Sequence, residues 1–161
     1  MVLGVIPARL NSSRFPKKIL APLLRKPMIA HVVERVLQSK KLDRVILAID
    51  DYETKEALKD FNFDIMMTSK NHISGTDRIA EVTKRLEKAD IIINIQGDEP
   101  LVDAKIIDDL VDTFDNTNVK MSTVLSNNLS VEDLIDSNVV KAIIDEKFNV
   151  INFKRQVFDM E

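Results

Sequence analysis

The chain has no cysteine, two histidines and only three glycines in 161 residues. Without cysteine there is no disulfide framework and no thiolate chemistry, as expected of a cytoplasmic protein. Two histidines are too few for a His-rich metal site. No apolar run approaches the roughly 20 residues that a membrane span requires. The N-terminus also lacks the charged leader and long apolar stretch of a signal peptide. Neither familiar phosphate fingerprint, GxxxxGK(S/T) or GxGxxG, occurs. There is no internal repeat, linker or low-complexity segment. What remains, 45% hydrophobic and 30% charged, is the composition of a globular protein. The length suits one domain, residues 1–161, with a substantial core.

Acidic residues outnumber basic ones by 26 to 23 overall, but the start of the chain carries only basic ones. Arg9, Arg14, Lys17, Lys18, Arg25 and Lys26 precede the first acid, Glu34, and the rest of the chain carries 17 basic against 26 acidic residues. A cationic loop on an acidic body is a poor grip for a long nucleic acid, which wants an extended basic face. It suits a compact polyanion such as a triphosphate. On charge alone, a merely solvated loop would look the same.

Hydrophobic patterning predicts strands at 2–6, 45–49, 64–68, 91–95 and 121–125, the fourth being the least ambiguous. Helices are predicted from Pro27, with Lys40 and Lys41 near its end, over 52–61, over 76–87 and after an Asp103 cap. A short helix follows the capping-box pattern at Ser130–Asp133, and 139–145 with 150–153 reads as a hairpin. Strands alternating with helices, several continuously apolar, predict an α/β fold: a mostly parallel sheet with helices on both faces.

In such sheets ligands bind beyond the carboxyl ends of the strands. Two polar loops leave at that edge: the basic one, 7–26, and Gln96-Gly97-Asp98-Glu99-Pro100. Phosphate there would be held by Arg and Lys side chains with loop amides. Gly97 is expected to allow a tight turn beside the ligand. Asp98 offers a hard oxygen for Mg²⁺, or else is a solvated cap in an ordinary strand-to-helix turn. In His72-Ile73-Ser74-Gly75-Thr76-Asp77-Arg78, Ser74 or Thr76 can cap a helix. Arg78 then sits in the first turn against the helix dipole, a placement that a nearby anion would explain.

The stretches IPARLNSSRFPKKIL, KPMIAHVVERV, HISGTDRIAEV and NIQGDEPLV, within 5–102, together resemble the 3-deoxy-manno-octulosonate cytidylyltransferase family, the CMP-Kdo synthetases of lipopolysaccharide assembly. The resemblance implies a Rossmann-like nucleotide-diphosphosugar-transferase fold. It also implies transfer of CMP from CTP to the anomeric hydroxyl of Kdo with release of pyrophosphate. Carried onto this chain, Arg9, Ser13, Arg14 and Lys18 match the triphosphate loop, and His72, Ser74 and Arg78 the cytosine and ribose side. Gln96 falls in a nucleotide-contacting motif, and Asp98 matches a magnesium ligand. Lys18, Asp98 and Arg14 are the expected catalytic groups. The implied partners are CTP and a Kdo-like sugar acid, with Mg²⁺ as cofactor, no nucleic acid and no membrane; a homodimer is left open. Another acceptor, 8-amino-Kdo or a neuraminate, and a non-catalytic CTP-binding remnant are the alternatives.

The chain departs from the family pattern at Lys17, where proline-glycine-lysine is usual, and at Leu24-Arg25, which lacks the glycine before the lysine-proline pair. It stops at Glu161, where the family continues into the part expected to hold most of the sugar site, a second metal carboxylate and the dimer surface.

Overall fold

The structure, a computed structural model, describes residues 1–11, 15–86 and 88–156. Although the sequence carries no boundary signal, the chain falls into two compact units, Met1–Ser122 and Thr123–Glu161.

In the first unit β1 (Val2–Ala8) leads through two very short strands, β2 (Pro22–Leu23) and β3 (Lys26–Pro27), into α1 (Met28–Val36). Then come β4 (Arg44–Ile49), α2 (Tyr52–Ala57), β5 (Ile65–Met67), α3 (Gly75–Leu86), β6 (Ile91–Asn94) and α4 (Ala104–Asp112). The main sheet has the order β5-β4-β1-β6, and its three pairings are all parallel. Alternation along the strands feeds two cores. Ile6, Ala8, Leu47 and Ile49 pack with α1 and with Ile107 and Val111 of α4. Leu3, Val5, Ile46 and Ala48 face the other way, onto Ile79 and Val82 of α3. Helices therefore cover both faces, which is why these strands read as unbroken apolar runs. Going from β5 to β6 the chain crosses the sheet on the α3 face, so the winding reverses between β1 and β6.

Four local predictions change. Pro27 does not occupy the first helical turn: at φ −56° and ψ 141° it is the extended N-cap of α1. That helix ends at Val36, so Lys40 and Lys41 lie beyond it, where their backbone N–H groups donate to Asp108. The 52–61 helix stops at Ala57. Residues 121–125 form no strand. Their apolar side chains are largely exposed, Met121 at 90%, and no described strand pairs with them. Strand propensity without a ladder partner and a buried face does not make a strand.

In the second unit Ser130 caps α5 (Val131–Ile135) in a reciprocal capping box with Asp133. An antiparallel hairpin follows, β7 (Lys141–Ile144) and β8 (Val150–Lys154). Lys141 is buried and donates to the carbonyls of Asp136, Val139 and Arg155, satisfying all three ammonium protons. Among the described residues no helix is long and apolar enough to cross a membrane.

Candidate active site

The reversal between β1 and β6 opens a crevice at the carboxyl edge of the sheet, where open α/β sheets bind ligands. A cavity of about 670 Å³ lies there. Three segments far apart in sequence line it: Arg9 and Lys18 after β1, His72, Ser74 and Arg78 at the start of α3, and Gln96 and Asp98 after β6. These are all the expected site residues that the structure describes; Ser13 and Arg14 lie outside the described residues.

Pro7 at the end of β1 is the shared floor. A Cβ on Gly97 would sit 2.9 Å from the Pro7 carbonyl oxygen, and one on Gly75 3.2 Å from Pro7 Cγ. Gly97 was expected for a tight turn, but no glycine here has positive φ. Its reason is close approach: only a residue without a side chain lets the loop after β6 lie against β1.

The charges pair across the cavity. Lys18 Nζ donates to Asp98 Oδ2 at 2.7 Å, and both side chains are substantially exposed. Lys17, left-handed at φ 55°, donates to Glu53 at 2.6 Å. Lysine thus stands in a conformation that favours glycine, the residue usual there in the resembling family. Among the described residues no group of three or more His, Asp or Glu side chains is placed to hold a metal. Among the described residues that line the cavity, Asp98 is the one carboxylate.

The start of α3 is set by its own side chains. Ser74 and Asp77 cap it reciprocally: the Ser74 N–H and hydroxyl donate to Asp77, and the Asp77 N–H donates to Ser74 Oγ. Of the two expected caps, Ser74 performs the role. Arg78 is 3% exposed, and its anion is internal. The guanidinium donates to Asp50 Oδ2 at 2.9 Å and to Thr68 Oγ1 at 2.5 Å. Asp50 also accepts from the Leu10 N–H at 3.0 Å, tying the root of the basic loop to α3. His72 Nε2 meets Glu81 Oε2 at 2.5 Å. The Ser69 N–H, then His72, hold the Glu81 carboxyl below its ordinary pKa. Sequence reasoning missed Asp50, Thr68 and Glu81. Only Asp50 left a signal, an acid at the carboxyl end of a strand on the ligand edge.

A family model for cytidylyltransferases matches residues 3–160. The chain belongs to the cytidylyltransferase family. This family member is 43% identical, over 96% of its length, to the 3-deoxy-manno-octulosonate cytidylyltransferase of Syntrophobacter fumaroxidans, of which it covers 63%. It is 41% identical to the enzyme of the same name from Geobacter metallireducens, over 96% of its length and 61% of the relative. Among solved structures, CMP:2-keto-3-deoxy-manno-octonic acid synthetase complexed with CTP superposes with a TM-score of 0.89 at 35% identity, covering 96% of this chain and 64% of that one. A cytidylyltransferase from Leptospira borgpetersenii follows with a TM-score of 0.62 at 32% identity, over 70% of this chain and 48% of that one. The chain spans somewhat over three fifths of the length of these two curated relatives. Its α/β architecture is that of the CTP-bound synthetase.

Proposed function

We propose that the protein carries the nucleotide site of a cytoplasmic enzyme that transfers CMP from CTP to the anomeric hydroxyl of Kdo and releases pyrophosphate. The observation that carries this reading is the single cavity in which Arg9 and Lys18, Asp98, and the His72–Ser74 segment meet at the β1/β6 crevice. Its likeness to a synthetase complexed with CTP supports the choice of nucleotide.

In this reading Arg9 and Lys18, with Arg14 by resemblance, hold the β- and γ-phosphates. Lys18 exchanges its exposed Asp98 partner for phosphate oxygen, an exchange that a solvent-exposed ion pair permits at little cost. The His72–Ser74 segment and Gln96 face the nucleoside. The sugar oxygen then bonds to the α-phosphorus as the bond to the pyrophosphate oxygen breaks. The protein's part is in-line positioning and cationic groups behind the leaving group. Asp98 fits Mg²⁺ as one carboxylate ligand, since this ion takes one or two carboxylates and completes its shell with phosphate and water. Bound there, Mg²⁺ would supply charge neutralisation on the phosphate oxygens. A homodimer belongs to the same reading.

Calorimetric titration with CTP, UTP, ATP and GTP tests the nucleotide, and pyrophosphate release with Mg²⁺ and a panel of Kdo, 8-amino-Kdo and neuraminate tests the acceptor. CTP should bind best, and equal affinity for all four nucleotides would overturn the assignment. Lys18→Ala should weaken CTP roughly 10- to 150-fold, the worth of one charge-assisted phosphate contact. Asp98→Asn should weaken only the Mg²⁺-dependent binding. The pyrophosphate assay also separates this reading from CTP binding without transfer.

A further inference from the structure

Asp77, Glu81 and Arg85 stand one turn apart on α3, forming a column that holds the connection from β5. Asp77 binds Ser74, while Arg85 reaches back to the Met67 carbonyl at 2.7 Å and also pairs with Glu81 Oε1. Between them Glu81 Oε2 accepts from the Ser69 N–H at 2.9 Å and meets His72 Nε2 at 2.5 Å. His72 lies in the same connection, so its bond to Glu81 is a further tie, and it also acts on the imidazole itself.

A carboxylate cannot donate, so Nε2 must carry the proton in that bond. In the neutral ring Nδ1 is then left as a bare acceptor, and a carboxylate partner fixes this tautomer as it does in histidine–carboxylate pairs elsewhere. Among the described residues Nδ1 has no hydrogen-bond partner, and His72 lines the cavity. Cytosine presents an exocyclic amine, a donor, where uracil presents a carbonyl oxygen, an acceptor. Only the first can pair with an acceptor nitrogen.

We propose that Glu81 is a positioning residue for base selection: it fixes His72 as an Nδ1 acceptor, so that a cytosine amine is accepted and a uracil carbonyl is refused. This rests on the reading of the cavity as a nucleotide site. Mismatching an acceptor against an acceptor leaves a polar group unpaired, which corresponds to roughly 10- to 100-fold in affinity.

The test measures CTP and UTP affinities, and ring nitrogen spectra of His72 without nucleotide, for the wild-type protein, Glu81→Gln and His72→Phe. The wild-type ring should show the proton on Nε2. In Glu81→Gln, whose amide can offer either an oxygen or an NH₂ group, the ring should become a mixture. The CTP preference over UTP should then fall about tenfold, and it should fall equally in His72→Phe, which leaves the Ser69 and Arg85 contacts in place. Combining the two changes should lower it no further. CTP and UTP weakening together with an unchanged ratio would reduce Glu81 to a loop staple and overturn the proposal, as would a wild-type ring protonated on Nδ1. Failure of the wild-type protein to bind any nucleotide would instead defeat the reading of the cavity, because the ring spectra report on His72 without it.

Discussion

Arg78→Met would expose how much of the site's scaffold hangs on one buried ion pair. Methionine preserves most of the stem packing, so the cost comes from the partners left behind. The lost guanidinium is 3% exposed and held Asp50 Oδ2 at 2.9 Å and Thr68 Oγ1 at 2.5 Å. Asp50, its side chain 13% exposed, would keep the Leu10 N–H and only the more distant charge of Lys70, which pairs with Asp51. Removing one partner of a buried pair costs about 3–5 kcal/mol. The partial exposure of Asp50 puts this case near the low end, about 3 kcal/mol, which for a chain of this length lowers Tm by about 6–12 °C. Arg78→Lys should recover only part of the loss, because a point charge cannot reach Asp50 and Thr68 as a fork does. Urea denaturation and thermal scans at pH 7 measure both variants. A loss below about 1 kcal/mol would show that water already screens the pair and that the scaffold argument fails. CTP affinity measured well below the melting range then reports whether Arg78 touches nucleotide as well.

Gly97→Ala should cost about 1–3 kcal/mol, since its methyl would lie 2.9 Å from the Pro7 carbonyl oxygen and backbone has to give; a stability unchanged within error would refute the close approach. The β2–β3 turn puts Leu24 at φ 46° and Arg25 at φ 72°, the geometry of a turn that prefers Asn-Gly. The double change Leu24→Asn and Arg25→Gly should therefore stabilise by about 1 kcal/mol, read as a higher urea midpoint. Acid should unfold the protein through carboxyls held low in the native state. Asp108 is held below its ordinary value of 3.8 by the Ser39 hydroxyl and then the Lys40 and Lys41 amides, and Glu81 below 4.5 by the Ser69 amide and His72. Depressed groups contribute stability above their unfolded values and lose it as pH falls through the native ones. The urea midpoint should be level from pH 7 to about 5 and decline below about 4.5; Asp108→Asn should flatten that decline.

The elements were legible wherever burial writes a period into the chain. In the run Ile91–Asn94, Ile91 and Ile93 face one core, as does the α1 stripe Ile29, Val32, Val33 and Val36, and both elements were readable from the sequence. Residues 121–125 show the limit of that signal: Thr123, Val124 and Leu125 suit a strand, but a strand exists only if a neighbour offers a ladder. The β2–β3 turn was invisible because neither Leu24 nor Arg25 is a turn-forming residue, and the pairing of their neighbours overrides local preference.

For the site, the sequence by itself determined the chemistry on offer: cations before any acid, a polar exit from the strand before Asp98, and a capped helix start carrying His72 and Arg78. Motif order was enough to assign the family. What tertiary structure decided is which charges are available to a ligand. Arg78 looked like a cation awaiting an outside anion until the chain after β4 brought Asp50 under it, and nothing in the sequence signalled that α3 would set Glu81 against Nε2 of His72. Gly97 owes its identity to Pro7, 90 positions earlier in the chain, which lies against it only because β1 and β6 are neighbours. Pairings across such separations depend on strand order and helix face, and no local pattern of residues encodes them.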